Sequence, residues 1–409
     1  MTMKNPKIVL TLIFILFLGL ISETRAQIDS TQYRRIVQIL KDNSETVAPD
    51  KRIKILEIAG ANIPNNEYII QTTERELVTQ LQQKLSNVEA KIIFSTLPDS
   101  SVGEKIHGIA NLSVANLRTR PSHAAEMATQ VLLGTQVDIL QKIAGDFRIR
   151  TPEGYIAWVP TSSVTAMTNM ELNLWRKKTK LIYIEEFGRS YSAANKTSLR
   201  VSDLVYGNIL SLVKEEKGYY KVEYPDKRVA YILKDEAIRL DEWINSRQAT
   251  PENIISSAKS MLGLPYLWGG TSVKGVDCSG FTKTSFYMNG FVIPRDASQQ
   301  VLAGERIEIL DEEGNFSPEL ALKNLNPADL LFFAGGKNRN SNARITHVAL
   351  YLGNGEFIHA AGTVRINSML KDAENFDDFQ TRTVVAARRY IGTKDEQIKN
   401  IKEHSYYTN

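Results

Sequence analysis

The only cysteine of the 409-residue chain, Cys278, lies in the heptapeptide Gly275-Val276-Asp277-Cys278-Ser279-Gly280-Phe281. Just downstream, Phe281, Thr284, Ser285 and Met288 mark one face of a helix, and Asp277 is a good N-cap for it. Cys278 then falls in the first turn, where the helix dipole and unpaired backbone N–H groups favour the thiolate and lower its pKa. A thiol so placed is a nucleophile, and the same amides can hold the oxyanion that its attack creates. The chain has five histidines, and His347 and His359 lie in one stretch, ITHVALYLGNGEFIHAAG, that reads as a hairpin. Register decides whether they cooperate. A three-residue loop Gly353-Asn354-Gly355 pairs Leu352 with Glu356 and sets His359 opposite Ala349, on the face that His347 shares. A two-residue Asn-Gly loop would throw the imidazoles onto opposite faces. In the first register the residues suit attack by Cys278, with His347 as base and His359 as the group that orients it. Zinc is the rival for one cysteine and two histidines, but the usual ligand spacings are absent.

These residues need a helix and a sheet to hold them. The segment ENIISSAKSML, 252–262, has helical spacing and ends at Gly263-Leu264-Pro265. Strand candidates 329–334, 345–353 and 356–362 follow the cysteine, so helices precede an antiparallel sheet, an α+β order. Upstream, the segments beginning at Leu132 and Val205 align without a gap at an offset of 73, matching Gly134 with Gly207, Gly145 with Gly218 and Pro152 with Pro225. Each copy is a set of short alternating runs broken by Gly, Pro and Asp, the pattern of a small antiparallel barrel. Before them, 27–105 reads as a helical polar region, with Leu77, Leu81 and Leu85 as one apolar stripe. The charged tail 394–409 is expected to be loose.

The N-terminus carries its own signal. Lys4 and Lys7 precede the apolar run Ile8–Ile21, and Thr24-Arg25-Ala26 offers a small residue before Gln27, so 1–26 reads as a cleaved signal peptide. The expected mature protein is exported, periplasmic or secreted, with no stable membrane insertion. That makes the odd cysteine telling: without a disulfide partner it is either a buried inert thiol or a reactive one. Lys4, Lys7 and Arg25 against Glu23 account for +2 of the formal charge of +4, which leaves +2 beyond the signal. No concentrated basic stripe marks a nucleic-acid partner. A monomer without a metal or cofactor is expected.

The motifs Pro265-Tyr266-Leu267-Trp268-Gly269-Gly270, Asp277-Cys278-Ser279-Gly280-Phe281, Pro294-Arg295, Asp329-Leu330-Leu331-Phe332, His347-Val348 and Phe357-Ile358-His359 occur in an order that resembles the NlpC-type, papain-like cell-wall cysteine peptidases over 250–393. The repeats resemble bacterial SH3-type domains near 106–165 and 172–243, with Gly154-Tyr155-Ile156-Ala157-Trp158-Val159 in the place of their last-strand motif. Together they resemble the γ-D-glutamyl-L-diamino-acid endopeptidases, which cut peptidoglycan stem peptides. The resemblance implies Cys278 as nucleophile, His347 as base, His359 as third member and the Tyr266 hydroxyl in the oxyanion site. It also implies that Asp277 and Ser279, with Glu126 and Tyr155 of the first barrel, hold the free amine of an N-terminal L-alanine. Trp268 would wall the cleft. Arg295 fits either a salt bridge to the core or a substrate carboxylate. Two rivals remain at this stage: a non-catalytic wall-binding protein, and an amidase or acyl transferase on the same fold.

Overall fold

The structure is a computed structural model that describes residues 31–408, so the segment 1–26, expected to be a signal peptide, lies outside the described residues. The chain divides after Ser100 into two compact units. In the first, a helix over 31–47 and the helix Leu77–Leu85 cover a three-stranded sheet. Its strands Leu56–Asn62 and Glu67–Thr72 pair antiparallel, and Lys91–Thr96 joins Glu67–Thr72 in parallel. The expected helical region is therefore an α/β unit. The leucine stripe 77–81–85 is buried as its spacing requires, whereas the β-branched runs YIIQTT and KIIFST pair as strands.

The second unit holds two barrels and an α+β domain. The first barrel places seven strands in one sheet, and the second reproduces it strand for strand. Gln136–Ile143, Asp146–Arg150 and Ile156–Pro160 recur as Ile209–Glu216, Tyr219–Glu223 and Val229–Leu233, each displaced by 73 residues. The repeat thus extends beyond the aligned segments to every strand of the sheet. The barrels touch closely. A Cβ on Gly134 would lie 2.2 Å from the Ile209 carbonyl oxygen, and Gly134 has φ +81°, so only glycine fits there.

The α+β domain has a six-stranded sheet in the spatial order Glu305–Ile307, Arg382–Arg389, Leu330–Gly335, Ile345–Gly353, Glu356–Ala361 and Thr363–Ser368. The helix Cys278–Tyr287 lies on one face, where Phe281 and Phe286 pack with Val348, Leu350, Ile358 and Ala360. Helix Pro251–Ser260 packs behind it. On the other face Ala349, Tyr351, Phe357 and Phe333 form a second cluster.

The tail is ordered, contrary to expectation. Lys399–Asn400 pairs with Phe291–Val292. Ile401 is fully buried against Ile182, Leu240 and Trp243, and Tyr407 packs on Tyr287 of the nucleophile helix. Tyr406 donates its hydroxyl proton to Asp138 of the first barrel, and Arg176 bonds the Ser405 carbonyl. The charges that made this segment look loose stand outside a row of apolar and aromatic anchors. Ile401→Ala should therefore lower stability by about 2–5 kcal/mol, read from the denaturant midpoint. A wild-type midpoint would show that the tail carries no packing energy.

Candidate functional site

Cys278 opens its helix, and Asp277 caps it by accepting from the Gly280 N–H at 2.7 Å. The helix start is pressed against a neighbouring loop. A Cβ on Gly280 would stand 1.9 Å from the Gly270 carbonyl oxygen, which accounts for the glycine of the Asp-Cys-Ser-Gly sequence. The Cys278 sulfur meets the sheet at Val348, the residue after His347, and is bonded by the backbone N–H groups of Val348 and Ser279. Those two amides stabilise the thiolate, but burial, followed by the Asp277 charge, outweighs them and pushes the thiol up to about 12. The expected lowering at a helix start is overturned here because the sulfur is buried beside a carboxylate.

The histidines do come together, by a different turn. Asn354 and Gly355, both at positive φ, form a two-residue loop that pairs Gly353 with Glu356. Leu352 is then bulged out, and pairing resumes at Tyr351 with Phe357 and Leu350 with Ile358. The bulge restores the register that the expected three-residue loop would have produced. His347 Nε2 lies 2.9 Å from His359 Nδ1. The two nitrogens are aimed at one another instead of converging on a shared position, an arrangement that suits a proton relay better than an ion. Burial drives the His347 pKa well below 6.5, helped by the neighbouring His359, Arg382 and Arg365. His359, fully buried, is lowered to about 4 by burial and by Arg382.

Behind His359 stands a residue the sequence reading missed. His359 Nε2 is 3.0 Å from the Asn367 Oδ1. The signal was available: Arg365 pairs with His359 across the next hairpin, and Asn367, two residues on, shares that face.

Tyr266 is near enough to Cys278 and Asp277 for both to raise its hydroxyl pKa further, after burial has raised it. Arg295 is fully buried and its donors are committed within the protein. Its Nη1 and Nη2 fork onto Asp277 at 3.1 and 2.6 Å, Nη1 also bonds Ser279 Oγ at 3.0 Å, and Nε bonds Thr129 Oγ1 of the first barrel at 2.8 Å. The core salt bridge is the arrangement present, with no donor of this side chain exposed to a substrate carboxylate.

The first barrel meets the peptidase domain through its strand Met127–Leu132 and the loops beside it. Gln130 Oε1 accepts from the Thr271 N–H, and a Cβ on Gly269 would lie 2.7 Å from the Met127 carbonyl oxygen. Glu126 accepts from the Trp268 indole at 2.8 Å, and Trp268 itself is 60% exposed. Tyr155 is packed in the barrel core, yet its hydroxyl donates to Asp296 at 3.2 Å. Asp296 was not foreseen. It caps the short helix Ala297–Gln300 and lies 3.7 Å from the Arg295 Nη1. Two carboxylates, Asp277 and Asp296, therefore stand against one buried guanidinium at the junction of barrel and peptidase domain, while Glu126 lies on the barrel side against Trp268.

Known proteins share this design. Residues 263–385 match the NlpC/P60 family, and 117–164 match the bacterial dipeptidyl-peptidase Sh3 domain. Over 253 residues the chain is 31% identical to a gamma-D-glutamyl-L-lysine dipeptidyl-peptidase of Bacillus cereus, covering 58% of this chain and 68% of that protein. Dipeptidyl-peptidase 6 of Lysinibacillus sphaericus is 27% identical over 274 residues, covering 64% of this chain and 92% of that one. The crystal structure of an NlpC/P60 family protein from Bacillus cereus has the same fold, with a TM-score of 0.55 at 23% identity over 69% of this chain and 99% of that chain. A thiol at a capped helix start, a histidine pair on the adjoining strands and these relationships lead to one conclusion: the chain belongs to the NlpC/P60 family of cysteine peptidases.

Proposed function

We propose that the protein is an exported peptidase that hydrolyses the γ-D-glutamyl–diamino-acid bond of peptidoglycan-derived stem peptides bearing a free N-terminal L-alanine. The observation that carries this reading is the seat of Cys278: its sulfur lies against Val348, the residue after His347, and the first barrel brings Glu126 and Tyr155 onto Trp268 and Asp296 of the peptidase domain. The substrate class follows the name of the Bacillus cereus relative. Export follows from the signal-like segment 1–26.

In this mechanism Cys278 gives its proton to neutral His347 as the sulfur attacks the γ-glutamyl carbonyl. The Cys278 N–H and the Tyr266 hydroxyl receive the oxyanion. His347 then protonates the departing amine, and water releases the acyl group. Asp277, Ser279, Glu126 and Tyr155 would surround the α-ammonium, with Arg295 as the standing partner of Asp277. Ser279 holds the guanidinium in place and Trp268 forms the wall.

Cys278→Ala should reduce turnover of L-Ala-γ-D-Glu-diamino-acid peptides by about 10³-fold or more with the fold retained, measured by product mass spectrometry and circular dichroism. Activity within tenfold of wild type would sink the thiol mechanism, and a peptide–amine product would favour an acyl transferase.

Blocking the amine should matter less than an isolated buried carboxylate would suggest, because Asp277 keeps Arg295 as its partner when no ammonium arrives. Losing a charge-assisted hydrogen bond of about 1.5–3 kcal/mol predicts that N-acetylation lowers kcat/KM roughly 10–150-fold. Glu126→Ala should narrow that ratio by harming the free peptide. Equal rates on free and acetylated peptides would remove the four amine-binding assignments.

The base must be neutral to accept a proton, and burial holds both imidazoles below 6.5. Lowering the pKa moves protonation to more acidic solution, so the acidic limb of kcat/KM should lie below pH 6.5. A limb at or above that value would show a base that is not this buried pair.

A further inference from the structure

We propose that Asn367 is a positioning residue that fixes the tautomer of both histidines, making the relay four residues long: Cys278, His347, His359 and Asn367. The proposal rests on the peptidase reading only for its effect on turnover. The tautomers themselves follow from the hydrogen bonds.

At the far end of the relay the chemistry allows no choice. Arg365 Nε lies 3.1 Å from one terminal atom of the Asn367 side chain, and a guanidinium can only donate. That atom is therefore the amide oxygen. The other terminal atom lies 3.0 Å from the Asn375 carbonyl oxygen, which can only accept, so it is the amide nitrogen. Two neighbours of opposite character thus lock the amide against a flip.

An oxygen so locked requires His359 Nε2, 3.0 Å away, to be the donor. A neutral imidazole has one N–H, so His359 Nδ1 bears the lone pair. It must accept, and the group within reach is His347 Nε2 at 2.9 Å. His347 then carries its proton on Nε2, and its Nδ1 is left as the basic nitrogen. One amide orientation sets two tautomers and leaves open the single nitrogen that can take the thiol proton. Both rings are buried beside Arg382 and Arg365 and are held neutral by that surrounding, with Asp377 as the opposing charge, so the one-proton-per-ring premise holds.

A neutral amide has a use here that a carboxylate would not. Oδ1 can hold the Nε2–H without adding negative charge behind His359, so the pair stays uncharged and His347 remains a base in acid solution. Arg365 supports this by occupying the same oxygen from outside.

The test reads tautomer and turnover separately. In wild-type protein labelled with ¹⁵N-histidine at neutral pH, His359 and His347 should both show a protonated Nε2 and a bare Nδ1. The opposite tautomer at either ring overturns the proposal, whatever the substrate proves to be. Asn367→Leu removes the acceptor, and kcat should fall about 10–100-fold with KM changed less than threefold. Asn367→Asp restores the acceptor with a charge. It should recover most of kcat and shift the acidic limb of the pH profile upward relative to wild type. Equal losses in the two variants with an unmoved acidic limb would mean that Asn367 is merely structural. If no γ-glutamyl peptide is cut but the tautomers are as stated, the functional reading fails and the relay stands.

Discussion

The arrangement of the cleft depends on one buried guanidinium. Arg295 has no exposed side-chain surface, so its charge must be neutralised inside the protein, and Asp277 does so through two parallel hydrogen bonds. The same carboxylate caps the nucleophile helix and accepts the Gly269 N–H beside Trp268. Asp277 therefore cannot move without uncapping the helix, freeing the Trp268 loop and stranding a cation, a set of losses that for the ion pair alone costs about 3–5 kcal/mol. A further guanidinium bond, to Thr129, carries this constraint across to the first barrel. A charge that the sequence leaves open between a core salt bridge and a substrate ligand is the strut between the first barrel and the peptidase domain.

Duplication of the barrel shows how position, more than fold, decides a role. The two copies share strand order, yet Tyr155 of the first has Arg228 as its counterpart in the second. Tyr155 reaches Asp296 in the peptidase domain, whereas Arg228 lies over Tyr224 and bonds the Asn111 carbonyl of the first barrel. The second copy turns its equivalent surface to holding the first. Leu133, in the loop after strand Met127–Leu132, completes the second barrel's core, and Asn208 returns a bond to the Ser113 carbonyl. A barrel that must close a cleft to within hydrogen-bond distance benefits from being braced on its far side.

What was legible in the sequence followed from local rules. The N-cap at Asp277, the apolar alternation of the strands and the 73-residue repeat each depend on neighbours in the chain. Misreadings arose where distant packing decided. The hairpin turn was read one residue too long because a bulge at Leu352 leaves no mark in composition, although both routes put His347 and His359 on one face. The charges of the tail suggest a loose segment, while Ile401 and Tyr407 decide its place. Arg295 stayed ambiguous because its partners, Asp277 and Thr129, lie 18 and 166 residues away. The thiol was misjudged for a related reason: the helix dipole is visible in sequence, but the burial that outweighs it is not.

That burial has a consequence for how attack begins. With the thiol held high and the histidines held neutral, the resting site has little tendency to form a thiolate–imidazolium pair. After burial, the largest obstacle to ionising Cys278 is the charge on Asp277. On the proposed reading, a substrate ammonium settles beside that carboxylate. A unit charge about 5 Å from the sulfur, at an effective dielectric near 20, is worth roughly 3 kcal/mol, or about two pKa units. The amine that identifies the correct peptide would then ease ionisation of the nucleophile at the same moment. A blocked peptide would lose that easing, within the loss set by its missing charge. A buried thiol is thus compatible with rapid attack when its substrate brings the missing positive charge.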